Sequence, residues 1–115
     1  MWRYLLTLLV VSIVAACGGS EEDEAIVKVF KSRGFLQCTG GGTPPEVMRA
    51  ELTNAGIVVL SSACGSDGQP HLAACGIGDG AINIFEVSEN QAARAQALAF
   101  FLLSTLPTAR EVPCP

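Results

Sequence analysis

The amino-acid sequence predicts a small α+β domain: an antiparallel sheet of ferredoxin-like element order, two main helices on one of its faces, and two disulfides as staples. Three observations predict it. Short β-branched or alternating segments are separated by two stretches that carry helix-start signals. Of 115 residues, those left after an apolar first segment suffice for a single core. Beyond residue 25 the cysteines are four, an even number suited to pairing in an oxidising compartment.

Met1-Trp2-Arg3 brings one positive charge. An apolar run from Tyr4 to Ala16 follows, interrupted only by Thr7 and Ser12. That is the charge, apolar core and small-residue order of a secretory signal. A permanent membrane span needs roughly 20 apolar residues, and here Gly18, Gly19, Ser20 and four acids end the run at once. Val14-Ala15-Ala16-Cys17 resembles the lipobox of bacterial lipoproteins, an aliphatic residue, a small residue, Ala or Gly, then Cys, with Val14 in the place most often held by Leu. The resemblance spans about seventeen residues. It implies cleavage before Cys17, a thioether-linked diacylglycerol on Cys17 with two or three acyl chains in all, and a membrane held through that lipid. Gly18, where inner-membrane retention uses Asp, implies delivery to the outer membrane facing the periplasm. The organisation expected is therefore a signal peptide over 1–16, a lipidated Cys17 with an acidic flexible tether over 17–24, and one globular domain over 25–115. Cysteine number agrees with this: with Cys17 lipidated, the five cysteines leave Cys38, Cys64, Cys75 and Cys114 as two pairs.

Within the domain, Ile26, Val29 and Phe30 lie at helical spacing ahead of Gly34 and predict a short helix over Ala25 to Phe35. Phe35 to Cys38 is then a first strand, broken by Gly40, Gly41 and Gly42. Thr43-Pro44-Pro45-Glu46 opens a helix, with Thr43 as cap, Pro44 in the first turn and Glu46 where a capping box needs it. Met48, Leu52 and Ala55 share a face, and Gly56 stops the helix. Ile57 to Leu60, β-branched and uninterrupted, predicts a buried strand running to about Ala63. Ala81 to Val87 alternates as a strand should. Ser88-Glu89-Asn90-Gln91 is a second capping box, which opens a helix expected to reach Leu106 before Pro107. Arg110 to Val112 is a last short edge strand.

Strand, helix, strand, strand, helix, short strand is the order of a split βαβ, ferredoxin-like sandwich. In that topology the first and last strands are neighbours and the middle two are connected directly. Cys38 ends the expected first strand and Cys114 follows the last, while Cys64 and Cys75 flank the middle connection. Of three possible connectivities, the topology favours Cys38–Cys114 and Cys64–Cys75.

The excess of negative charge is concentrated in the tether. Glu21, Glu22, Asp23 and Glu24 supply it, and from Ala25 onward six Lys/Arg face seven Asp/Glu. No basic footprint for nucleic acid is present. Cys64, Asp67, His71 and Cys75 share one loop and are the residues from which a metal site would be drawn, yet their spacing matches no zinc pattern, and in an exported protein a cysteine pair is more often a disulfide. A redox pair on Cys64 and Cys75 lacks the Cys-x-x-Cys spacing at a helix start. Gly40 to Gly42 precede a helix without the Lys-Ser or Lys-Thr of a phosphate loop. Gly76 to Gly80 precede a strand where a dinucleotide fingerprint needs a helix. Ser61, Ser62 and Ser66 have only His71 as a base, with no Gly-x-Ser-x-Gly elbow.

The function expected is thus a non-catalytic interaction or structural module of the cell envelope, without a cofactor. The apolar surplus around Phe100, Phe101 and Leu103 marks the expected surface for an envelope protein partner. The alternative is a small periplasmic redox or metal-handling protein built on Cys64, His71 and Cys75.

Overall fold

The computed structural model describes residues 25–115. The expected signal peptide, Cys17 and the tether lie outside the described residues. Five strands, β1 (Ile26–Ser32), β2 (Ser61–Ser66), β3 (Ala81–Ser88), β4 (Phe101–Leu102) and β5 (Arg110–Val112), and two helices, α1 (Pro45–Thr53) and α2 (Ala92–Ala97), make up the domain. The strands form one sheet in the order β4-β1-β3-β2-β5, antiparallel at every pairing. The first four strands with α1 and α2 have the split βαβ, ferredoxin-like arrangement, and β5 extends the sheet beside β2.

Ala25 to Phe35 is not a helix. Ile26, Val27 and Val29 are β-branched and stiff at χ1, which suits an extended chain, and all seven residues of β1 pair with β3, from Ile26↔Ser88 to Ser32↔Ile82. Helical spacing linked Ile26, Val29 and Phe30. In the sheet the period is two, so Val29 is buried in the core with Val27 packed against its edge. Phe35 to Cys38, expected as the first strand, is loop, with Leu36 in isolated bridges to Gly40 and Gly78.

In α1, Met48 and Leu52 are buried as their shared face requires. Pro44 rather than Thr43 is the N-cap, with no side-chain capping bond. The Thr43 carbonyl instead accepts a 2.7 Å hydrogen bond from Asn83 Nδ2. Asn83 is the one buried polar side chain among the described residues, and this bond ties β3 to the start of α1. At the other end, Ile57 N donates to Leu52 O and Gly56 N to Thr53 O, a Schellman closure with Gly56 at φ +81°. Ile57 to Leu60 follows without a ladder of its own. Ile57 and Val59 are buried while Val58 and Leu60 are exposed, so the apolar run alternates where full burial was expected, and β2 begins only at Ser61.

The second helix is much shorter than expected. Glu89–Gln91 is a turn of 3-10 helix whose N-cap, Ser88, makes no side-chain capping bond. Gln91 does not serve a capping box but reaches back to the α1–β2 connection, accepting from Val58 N and donating to Gly56 O. After Ala97 the helix closes as α1 does, with Phe100 N donating to Ala95 O and Ala99 N to Gln96 O. The residue in the left-handed region is Ala99, at φ +67°, a position where glycine has no Cβ penalty. Ala99→Gly is therefore expected to raise the unfolding free energy by about 1 kcal/mol, measured by urea denaturation. Beyond this reversal Phe101 and Leu102 pair with Phe30 and Val29 of β1.

The helices cover one face. Val29, Phe85 and Val87 of the sheet pack there with Met48, Leu52, Ile57, Val59, Ala95 and Phe100, and Phe85 meets Phe100 edge-on at 5.7 Å between centroids. On the opposite face Ile82 and Ile84 are also buried. They lean over Gly65, where a side chain would strike Ile84 and the Arg110 carbonyl.

The strand next to β1 is thus β4, carved from the expected helix, whereas Arg110–Val112 pairs with β2 at the far edge. This corrects the cysteine connectivity. Cys64 is paired in register with Val112, which brings Cys114 to it, and the disulfide is Cys64–Cys114, not Cys38–Cys114. Cys38 lies in the loop after β1, where Gln37 N donates to Ile77 O and Gly76 N to Gln37 O. Those bonds deliver Cys75, and the second disulfide is Cys38–Cys75, not Cys64–Cys75.

Candidate functional site

The residues drawn together by the sequence as a metal or redox set are separated by the fold. Cys64 sits within β2 and Cys75 in the loop before β3, each bonded to a different partner. Asp67 and His71, four residues apart, do meet: His71 Nε2 lies 2.8 Å from Asp67 Oδ2 and 3.0 Å from Oδ1. The same carboxylate accepts from Gln69 N, the Asp67 carbonyl accepts from Thr108 Oγ1, and Asp67 N donates to Gly80 O. This pair turns the chain at the end of β2 and closes against Gly80, where a Cβ would lie 2.6 Å from His71 Nε2. Ser66 Oγ accepts from Gly68 N, a local turn bond. Among the described residues no three His, Cys, Asp or Glu side chains converge as a cation site.

Among the described residues, grooves of two sizes open at the surface. The larger, about 620 Å³, is lined by Val27, Leu102, Leu103, Leu106 and Pro107, with Lys28 and Glu89 among its polar residues. Its volume is that of a ligand pocket. It lies where the chain enters the domain, since Glu89 N donates to the Ala25 carbonyl. The smaller, about 230 Å³, lies beside the Cys64–Cys114 disulfide between Arg33, Phe35 and Asp79, and Arg33 Nη1 is 3.5 Å from Cys64 Sγ.

The expected partner surface divides. Phe100 has no exposed area and carries Lys31 Nζ 4.8 Å above its ring, so it belongs to the core. Phe101, the next residue, is half exposed and tilts against Phe30 at 6.4 Å. Leu103 lines the larger groove. Sequence reasoning missed a second apolar surface, formed by Leu36, Leu72 and Ile77, all exposed. Two loops bring it together: Leu36 bridges Gly78, and Gln37 Nε2 donates to Leu72 O at 2.8 Å. The disulfide Cys38–Cys75 and the hydrogen bonds of Gln37 to Leu72, Gly76 and Ile77 hold these loops together, so the signal lay in the long-range pairing.

The fold and its surface define a small disulfide-stapled α+β domain with apolar grooves and tips on a near-neutral body. Compared with protein-family models, curated proteins and solved structures, the chain matches none.

Proposed function

We propose that this protein is a lipid-anchored, non-catalytic module of the bacterial cell envelope, held to the outer membrane through Cys17 and acting by contact with another envelope protein. The observation that carries the reading is cysteine pairing. Cys38, Cys64, Cys75 and Cys114 close on one another, which leaves Cys17 as the odd one of the chain's five cysteines by count. An exported protein with one leftover cysteine directly after Val14-Ala15-Ala16 is accounted for if that cysteine carries lipid. Half-exposed Phe101, with Leu103 in the adjoining groove, supplies apolar area of the kind protein partners cover.

The test is the intact mass of detergent-extracted protein, alkylated without reductant. The expected result is a chain starting at Cys17, carrying two or three acyl chains and no alkyl group. An unlipidated mass, or Cys17 alkylated, overturns the anchor. With lipidation established, Phe101→Glu is expected to abolish a cross-link from this face to its envelope partner while the disulfides still form.

A further inference from the structure

We infer that Cys38–Cys75 is an exchange disulfide, the point at which a dithiol of the thiol–disulfide oxidoreductase class reduces this protein while its sheet stays folded. The inference stands independently of the lipid anchor.

The two disulfides differ in how they can be reached. Cys64 is only 3% exposed, whereas Cys38 and Cys75 are both exposed. Cys38 and Cys75 also lie outside every strand and helix. The chain next to Cys75 is open to its surroundings, since a Cβ added at Gly76 would meet nothing within 4 Å beyond its own chain neighbours. Cys38 holds φ at +68°, a left-handed conformation that costs a non-glycine residue energy and is kept only while its surroundings impose it. Exposed disulfides under backbone strain are the labile ones.

The surroundings suit a protein reductant. From Gly34 to Thr43 there is no charged residue, and from Gly68 to Gly78 only His71 can carry charge. Leu36, Leu72 and Ile77, on the two loops that Cys38–Cys75 joins, stand exposed. Two loops without Asp, Glu, Lys or Arg that present exposed leucine and isoleucine have the composition of an interface core.

In the step proposed, a partner thiolate attacks Cys75 Sγ. The Cys38–Cys75 bond breaks, a mixed disulfide forms on Cys75, and Cys38 leaves as a thiolate that takes a proton from water. The partner's second thiol then attacks the mixed disulfide, so the partner ends as a disulfide and Cys38 and Cys75 as thiols, two electrons having passed from the dithiol to the cystine. Cys38 is thereby free to leave the left-handed region. The competing route is attack on exposed Cys114, with Arg33 beside Cys64 favouring that sulfur as leaving group. There the Cys64↔Val112 pairing holds the two sulfurs together and the bond recloses.

The experiment is limited reduction of the native protein with dithiothreitol, quenched by alkylation and mapped by peptide mass. Cys38 and Cys75 are expected to be labelled at least tenfold faster than Cys64 and Cys114, with the far-ultraviolet circular dichroism unchanged. Equal rates, earlier labelling of Cys64 and Cys114, or labelling only as the sheet unfolds overturns the inference. A thioredoxin-type protein lacking its resolving cysteine is expected to be trapped on Cys75, and trapping on Cys114 instead overturns it. Leu72→Asp is expected to slow that trapping about tenfold and leave dithiothreitol unaffected. If it slows neither, the apolar docking surface is refuted.

Discussion

Replacing Cys64 and Cys114 together by alanine, with Cys38–Cys75 intact, is expected to lower the unfolding free energy by about 4 kcal/mol. The bond closes a separation of 50 residues, and the loss of that constraint enlarges the unfolded ensemble. On the native side the consequences are local. Arg110–Val112 has only three residues and its pairing is with β2 alone, so without the covalent tie the edge strand is held by a short ladder and by the exposed ion pair Lys28–Glu111. Such a pair contributes about 1 kcal/mol or less. The expected signature in urea is a lower midpoint with fast amide exchange at Gly65 and Val112. For a domain whose net stability is of the order of 5–15 kcal/mol, the variant folds marginally. An unchanged midpoint would show that β5 is held by its surroundings and that the bond adds nothing.

The same edge strand shows where sequence reasoning reached and where it stopped. Arg110–Val112 was legible as a short strand, because its place between Pro107 and Pro113 leaves little else. Which edge it joins was not, because that depends on what already occupies the place beside β1. The occupant, Phe101–Leu102, is hidden inside a run whose composition favours a helix. Ala99 adopts the left-handed turn that ends α2, and no glycine marks it. By contrast Gly56 ends α1 in the same geometry and its stop was legible. Two misplacements exchanged the partners of all four cysteines: the last strand set at the wrong edge, and Phe35 to Cys38, a loop, read as the first strand. Beta strand β1 was missed for another reason. Ile26, Val29 and Phe30 satisfy a helical period, while Val27 and Val29 satisfy a strand period, and only the pairing with β3 along the full length decides between them. The alternating run Ala81 to Val87 became β3, the central strand, because its pattern has one reading. Of the candidate chemistry, the Asp67–His71 contact was accessible as an i, i+4 pair in a turn. The apolar tip around Cys38–Cys75 was not, since Leu36 and Leu72 are distant in sequence and their loops are joined by a disulfide of the other connectivity and by the Gln37 side chain.

Phe100→Ala is expected to cost about 3–5 kcal/mol, and Phe101→Ala less than 1 kcal/mol, although the two residues are neighbours of identical type. The difference follows from the reversal at Ala99. Phe100 emerges from it facing the helices, fully buried, with its ring edge-on to Phe85 and roofed by Lys31. Lys31 in turn is paired with Glu51 of α1 at 3.3 Å, so the ring is enclosed by β1, β3 and both helices. Truncating it removes one of the two largest side chains of the core and leaves a cavity that the hydrogen-bonded backbones around it restrict from collapsing. Phe101 points the other way, since strand residues alternate between faces, and is half exposed against Phe30. Its removal gives up one aromatic contact in water. Had the chain remained helical to Leu106, neighbouring residues 100° apart would both have lain near one apolar stripe and the two substitutions would cost comparable amounts. Urea denaturation of the two variants therefore measures the turn as well as the packing: a gap of several kcal/mol between them is the thermodynamic mark of a strand at Phe101, and similar losses would restore the longer helix.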